Sequence, residues 1–264
     1  MEFFDTHSHL EMPRLYPKAD TIVRRAKEAG VIGVVVSAIE PKFYPKALDL
    51  KNRFPGFIWP TFGLHPPRAT PQMVERCIQG IRKHAEEIVA IGEVGLDYYW
   101  IKEREPREYQ KTAFIQFIQL ASELDLPLVV HSREAEVDSI QILKQEKAVR
   151  VQLHCFNDAA LVQEAAKQGW FMSVPTSVVS RRRMQRIALI MPLANMLLET
   201  DAPYLAPVHG QTNEPANLPH AAVKVAEIKE TTPEVIAKTT TENALKFLQL
   251  FRDKTGSKIS KSKK

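Results

Sequence analysis

The sequence predicts an α/β protein folded as a single closed (β/α)8 TIM barrel over residues 1–252. Two observations carry that expectation. Short strand-like runs alternate with amphipathic helical segments along the whole chain without a long linker. Side chains that suit metal ions also recur just after strand-like runs far apart in sequence, and a closed barrel brings all its strand ends to one face. The runner-up is an open doubly wound sheet, which joins only neighbouring strand ends. No G-x-G-x-x-G comes after the first strand to support it.

Eight runs read as strands: Phe3 to Thr6, Val31 to Ser37, Phe57 to Phe62, Ile88 to Gly92, Leu128 to Val130, Arg150 to Leu153, Trp170 to Val174 and Asn195 to Leu198. They are rich in β-branched and aromatic residues, which suit a pleated surface buried on both faces. Arg107 to Leu126 reads as a helix, since Ala113, Phe117, Leu120 and Leu124 mark one apolar face before Pro127 stops it. Extra helices close the chain at Pro219 to Glu230 and Pro233 to Phe251. Thr232 is placed to cap the second and Pro233 to open it, and Thr239-Thr240-Thr241 is expected to break it.

The 264 residues are 44% hydrophobic and 25% charged, the balance of an ordinary globular protein. The apolar stretch from Val31 to Ile39 is too short to span a bilayer, and the N-terminus has no basic then apolar leader pattern. Cys77 and Cys155 are the two cysteines and form no C-x-x-C pair. A cytoplasmic monomer without membrane contact is expected. The net charge is +5, yet residues 253–264 hold five lysines against one aspartate, so the body is near neutral. That segment is nearly free of apolar residues and is expected to be a disordered basic tail.

The site is read from the residues just past each strand. The opening Phe3-Phe4-Asp5-Thr6-His7-Ser8-His9-Leu10 sets His7 and His9 two residues apart, facing the same way in an extended chain. The third strand leads to His65, the fourth to Glu93, the fifth to His131, the sixth to His154 and the eighth to Asp201. One catalytic zinc needs only three protein ligands. Four histidines and two carboxylates therefore imply two divalent metal ions, with Glu93 as the bridge, His7, His9 and Asp201 on one ion, and His131 and His154 on the other. Gly92 and Gly95 flank Glu93 and would let backbone and ligands approach closely.

These blocks resemble the TatD family of metal-dependent deoxyribonucleases, within the amidohydrolase-like barrel group. The resemblance is carried by Asp5-Thr6-His7-Ser8-His9-Leu10, Gly63-Leu64-His65-Pro66, Ile91-Gly92-Glu93-Val94-Gly95-Leu96-Asp97-Tyr98, His131-Ser132-Arg133-Glu134-Ala135, His154-Cys155-Phe156, Leu198-Glu199-Thr200-Asp201-Ala202-Pro203-Tyr204-Leu205 and Asn213-Glu214-Pro215. Matched position by position, the family's metal ligands fall on His7, His9, Glu93, His131, His154 and Asp201. The chain departs from the family at Gln211 and Thr212, where relatives often carry arginine, at Asn157-Asp158 after the histidine of the sixth strand, and at Pro175-Thr176 after the seventh. Fewer basic groups at the rim weaken the case for tight binding of a nucleic-acid backbone.

The chemistry expected of such a centre is hydrolysis by a metal-bridging hydroxide, with the ions taking up charge on the electrophile. Asp201 is the candidate general base, and His65 the candidate contact to substrate or leaving group. Arg133 and the run Arg181-Arg182-Arg183 are candidate phosphate contacts. Histidine-rich ligation suits Zn2+ or Mn2+, while the resemblance implies activity supported by Mg2+. The resemblance also implies a 3′-5′ exonuclease acting on single-stranded DNA. A hydrolase of a small amide, ester or phosphoester could use the same centre and is the alternative; a non-catalytic binding protein is a third reading.

Overall fold

The structure is a computed structural model that describes residues 1–253 and 259–261. Eight parallel strands succeed one another in sequence order: β1 (Phe3–Ser8), β2 (Val31–Ala38), β3 (Ile58–Phe62), β4 (Ala90–Asp97), β5 (Leu128–Arg133), β6 (Val151–Leu153), β7 (Phe171–Pro175) and β8 (Met196–Glu199). The sheet closes where the chain leaving β8 pairs with the end of β1. Asp201 N donates to His7 O at 2.9 Å, His9 N donates to Ala202 O at 2.7 Å, and Ser8 and Ala202 form a parallel bridge. A barrel closed this way leaves no sheet edge for unwanted pairing.

Helices alternate with the strands: α1 (Ala19–Glu28), α2 (Tyr44–Arg53), α3 (Pro71–Lys83), α4 (Arg104–Glu123), α5 (Glu136–Gln145), α6 (Val162–Lys167), α7 (Arg182–Ile190), α8 (Leu218–Ile228) and α9 (Pro233–Leu248). Each buries an apolar stripe on the barrel, as Ala113, Phe114, Phe117, Ile118, Leu120 and Ala121 do from α4. No helix among the described residues is long and apolar enough to cross a membrane.

All eight expected strands are present, and the differences lie at their ends. β4, expected to stop at Gly92, continues to Asp97 and stays paired with β5 as far as Asp97 opposite Arg133. Glu93 therefore lies within a strand, at a register shift between Gly92 and Val94. The two glycines serve close approach inside the sheet. A Cβ on Gly92, whose φ is +157°, would meet Val129 at 2.6 Å, and one on Gly95, whose φ is +135°, would lie 2.1 Å from the His131 carbonyl oxygen.

The expected break at Thr239-Thr240-Thr241 is corrected, because α9 runs through it. The hydroxyls are satisfied without breaking the helix: Thr240 donates to Ile236 O at 2.8 Å, and Thr241 donates to Glu2 O at 3.0 Å. Thr232 does cap α9, its side chain accepting from Val235 N. The tail is corrected in part. Residues 259–261 form a strand, β10 (Ile259–Lys261), antiparallel to β9 (Leu250–Arg252), and Lys261 Nζ donates to Ile88 O at 2.8 Å. The lysines at 254, 258, 263 and 264 lie outside the described residues.

Candidate metal centre

The chain brings all six expected ligands to one end of the barrel. His7 Nε2 and His9 Nε2 lie 3.2 Å apart. His7 Nε2 is 3.3 Å and His9 Nε2 3.7 Å from Glu93 Oε2, while Asp201 Oδ1 is 3.8 Å from the first ring nitrogen and 3.4 Å from the second. The other Glu93 oxygen faces the second half of the cluster, with His131 Nδ1 at 2.5 Å and His154 Nε2 at 4.0 Å from Oε1.

This donor set fits divalent ions. A tetrahedral ion with arms of about 2.0–2.1 Å separates its ligand atoms by roughly 3.3 Å, close to the spacing found among His7, His9, Glu93 and Asp201. In the second half, His131 Nδ1 and Glu93 Oε1 face each other at 2.5 Å, an imidazole and a carboxylate paired where a cation would have to displace any shared proton. His154 stands further off, so that half is more open.

Each histidine is oriented by what its other ring nitrogen touches. His9 Nδ1 lies 2.9 Å from the Ser37 carbonyl, His131 Nε2 2.9 Å from Asp97 Oδ2, and His154 Nδ1 3.0 Å from Glu199 Oε2. These partners can only accept, so the outer nitrogen carries the hydrogen and the inner one is left to face the centre. His7 Nδ1 lies 3.2 Å from Ser37 Oγ. Glu199 is held in turn by Ser173 Oγ, which donates at 2.6 Å.

Asp97, Glu199 and Ser37 were not singled out from sequence. For the two carboxylates a signal existed: Asp97 shares the alternating face of Glu93 and Gly95, and Glu199 precedes Asp201 by two residues. Ser37 acts partly through its main chain, which sequence does not show. Glu11 was missed as well. It is fully buried, neither carboxylate oxygen has a hydrogen-bond partner, and Oε1 is 3.7 Å from His9 Nδ1.

Mutual electrostatics set the protonation of the cluster. Burial opposes charge on Glu93, but the His131 imidazole outweighs it and holds the carboxyl well below its usual range. Asp201 behaves likewise, with burial overcome by the hydrogen bond to His9. Burial also opposes a charged His154, yet the Glu199 carboxylate prevails and pushes the imidazole up to about 9. His7 goes the other way, lowered by burial and by neighbouring His154.

The remaining expected site residues surround a cavity of about 590 Å³ that opens over the cluster. His65 lines it, its ring centroid 4.8 Å from that of His131, and burial pushes its pKa down to about 4. Arg133 and Arg181 also line it. Arg182 is exposed at the start of α7, outside the cavity wall, and Arg183 is engaged with the Asn157 carbonyl, at 2.6 Å from Nη2. Cys155 lines the cavity and is half-buried.

A parallel eight-stranded barrel that gathers buried imidazoles and carboxylates at its C-terminal strand ends defines a metal-dependent hydrolase of the amidohydrolase-like kind. Residues 4–249 match the family described as TatD related DNase, and the chain belongs to that family. It is 33% identical over 260 residues to the human protein named deoxyribonuclease TATDN3, covering 94% of this chain and 95% of that one. It is also 33% identical over 261 residues to the 3′-5′ ssDNA/RNA exonuclease TatD of Erwinia tasmaniensis, covering 94% of this chain and all of the relative (100%). Among solved structures, the TatD homolog YJJV of Escherichia coli superposes with a TM-score of 0.84 at 25% identity, over 93% of this chain and 97% of that chain.

Proposed function

We propose that the protein is a divalent-metal-dependent nuclease that hydrolyses phosphodiester bonds, working from the 3′ end of single-stranded DNA. The observation that carries the hydrolytic part is the paired face of Glu93, with the His7, His9 and Asp201 donor atoms around one oxygen and those of His131 and His154 towards the other. Two divalent ions held there, as Mg2+, Mn2+ or Zn2+, would acidify a water near neutral pH and withdraw charge from the phosphoryl oxygen.

The chain's own groups supply the rest. Asp201, held below the usual carboxylate range by the neighbouring His9 in spite of burial, is the group placed to accept the proton of the attacking water. His65 is neutral at pH 7 because burial disfavours its charged form, so it can hydrogen-bond the substrate without adding a fixed charge. Arg133 and Arg181 flank the opening and offer guanidinium groups to phosphate oxygens. Nucleic acid as the substrate is supported by the names of the human and Erwinia relatives, and the single strand and the polarity by the latter.

The test is digestion of end-labelled single-stranded DNA and RNA with each divalent metal in turn, alongside a circular single strand. Mononucleotides released from the 3′ end of linear DNA and an intact circle are the expected result. Cleavage of the circle at a similar rate would show that no end is required, and hydrolysis of small esters without any of either nucleic acid would move the substrate class.

A further inference from the structure

The loop between β4 and α4 carries an aromatic pair that the hydrolytic centre does not use. Tyr99 is 40% and Trp100 63% exposed, and Trp100 lines the cavity over the centre. They stand edge to face, with centroids 4.9 Å apart and planes at 84°. The Arg133 guanidinium covers the Tyr99 ring at 3.7 Å, and Lys102 Nζ lies 5.4 Å from the same centroid. The same guanidinium lies 5.8 Å from the Trp100 centroid, so Arg133 covers Tyr99 closely and Trp100 only loosely, and Trp100 is the more exposed of the two rings.

The backbone beneath these rings is held firmly. Arg107 donates to the carbonyls of Tyr98 and Ile101 at 3.0 and 2.8 Å, and Tyr98 OH donates to Asp138 at 2.7 Å. Trp100 N donates to Asp97 Oδ1 at 2.8 Å, while Asp97 Oδ2 holds His131 at 2.9 Å. One buried carboxylate therefore fixes both a histidine of the centre and the aromatic loop. Trp100 and Arg133 line the same cavity as His65, Glu93 and Asp201.

We propose that Trp100, backed by Tyr99 and Arg133, is a stacking platform for a nucleobase of the strand whose phosphodiester lies at the Glu93 centre. This rests on the nuclease reading and adds a base-binding subsite to it. An exposed indole backed by a guanidinium suits a flat ring joined to an anionic backbone. Stacking of this kind tolerates any base, since every base has a π-face. The rigid link through Asp97 sets the distance from platform to centre, so Trp100 acts as a positioning residue for the strand.

The test compares two single-stranded DNA substrates, one ordinary and one with abasic sites at its two 3′-terminal nucleotides. For the native protein the ordinary strand should be the better substrate through KM. In Trp100→Ala, KM for that strand should rise roughly 5- to 100-fold, the range for loss of one base–aromatic stack, with kcat changed far less. Its preference over the abasic strand should collapse towards one, and Trp100→Phe should restore most of it.

Fluorescence gives a second readout. Trp59 and Trp170 are buried and Trp100 is exposed, so a phosphorothioate single strand should quench emission in the native protein and leave Trp100→Phe unquenched. If the native protein cleaves DNA but the two strands are equivalent and no quenching occurs, the platform alone is overturned. If it cleaves no nucleic acid with any metal, the nuclease reading fails and the platform with it.

Discussion

The two ends of the barrel are built from the same eight strands and differ in almost everything else. At the strand starts, Phe4, Val35, Trp59, Val89, Val129, Phe171 and Leu197 pack with Phe247 and Leu248 of α9 and Leu250 of β9 into an apolar plug. At the strand ends stand His7, His9, Glu93, His131, His154 and Asp201. Between them runs a polar band in which Gln152 Nε2 donates to Thr6 and Ser173 hydroxyls at 3.0 and 3.2 Å, and Thr61 donates to Ser37 at 3.2 Å. Stability and chemistry are thereby divided along the strand axis. The plug gains from burial alone, whereas the rim concentrates groups that are costly to bury and places them where an ion can offset the cost.

Substitutions at the two ends should separate turnover from stability. The largest loss of turnover is expected from Asp201→Asn, which keeps the size of the side chain but removes its charge and basicity. A fall in kcat of about 10²–10⁴-fold, with unchanged circular dichroism, is the expected result. Asp97→Asn acts one step further out, through His131, and should weaken metal affinity by about 10–100-fold in a calorimetric titration.

Acid should blur the same boundary in a graded way. His154 holds its proton up to about pH 9, so a cation must displace that proton at any lower pH. Metal affinity should therefore rise with pH towards 9 and drop roughly tenfold for each unit below it per competing proton, as read from dissociation constants at several pH values. The smallest effect on turnover belongs to the plug. Phe247→Ala empties a site that is 1% exposed and packed edge-on to Phe171, and should cost about 3–5 kcal/mol in denaturant unfolding. Its kcat, measured well below the melting temperature, should stay near that of the native protein.

The plug and the rim were also legible to different degrees. Strand order and the six rim residues could be read because alternation and strand-end position are local patterns. The extension of β4 through Glu93 to Asp97 could not, since Gly92 and Gly95 look like turn residues until the close approach of β5 explains them. The threonines of α9 misled for a similar reason, their hydroxyls being satisfied by the carbonyls of Ile236 and Glu2. The strand at 259–261 and its contact with Ile88 depend on the far end of the barrel, which composition does not encode. Ser37 orients His9 across strands through its carbonyl and becomes visible only once the barrel is closed.

Whether Glu93 is shared between two ions, on which the division between rim and plug turns, is decided by metal stoichiometry. Native protein and His154→Ala, each loaded with Mn2+ or Zn2+ and freed of excess, would be measured by elemental analysis against protein concentration. Two equivalents are expected in the native protein and about one in the variant, which keeps His7, His9, Glu93 and Asp201. Native protein that never exceeds one equivalent would contradict a shared Glu93.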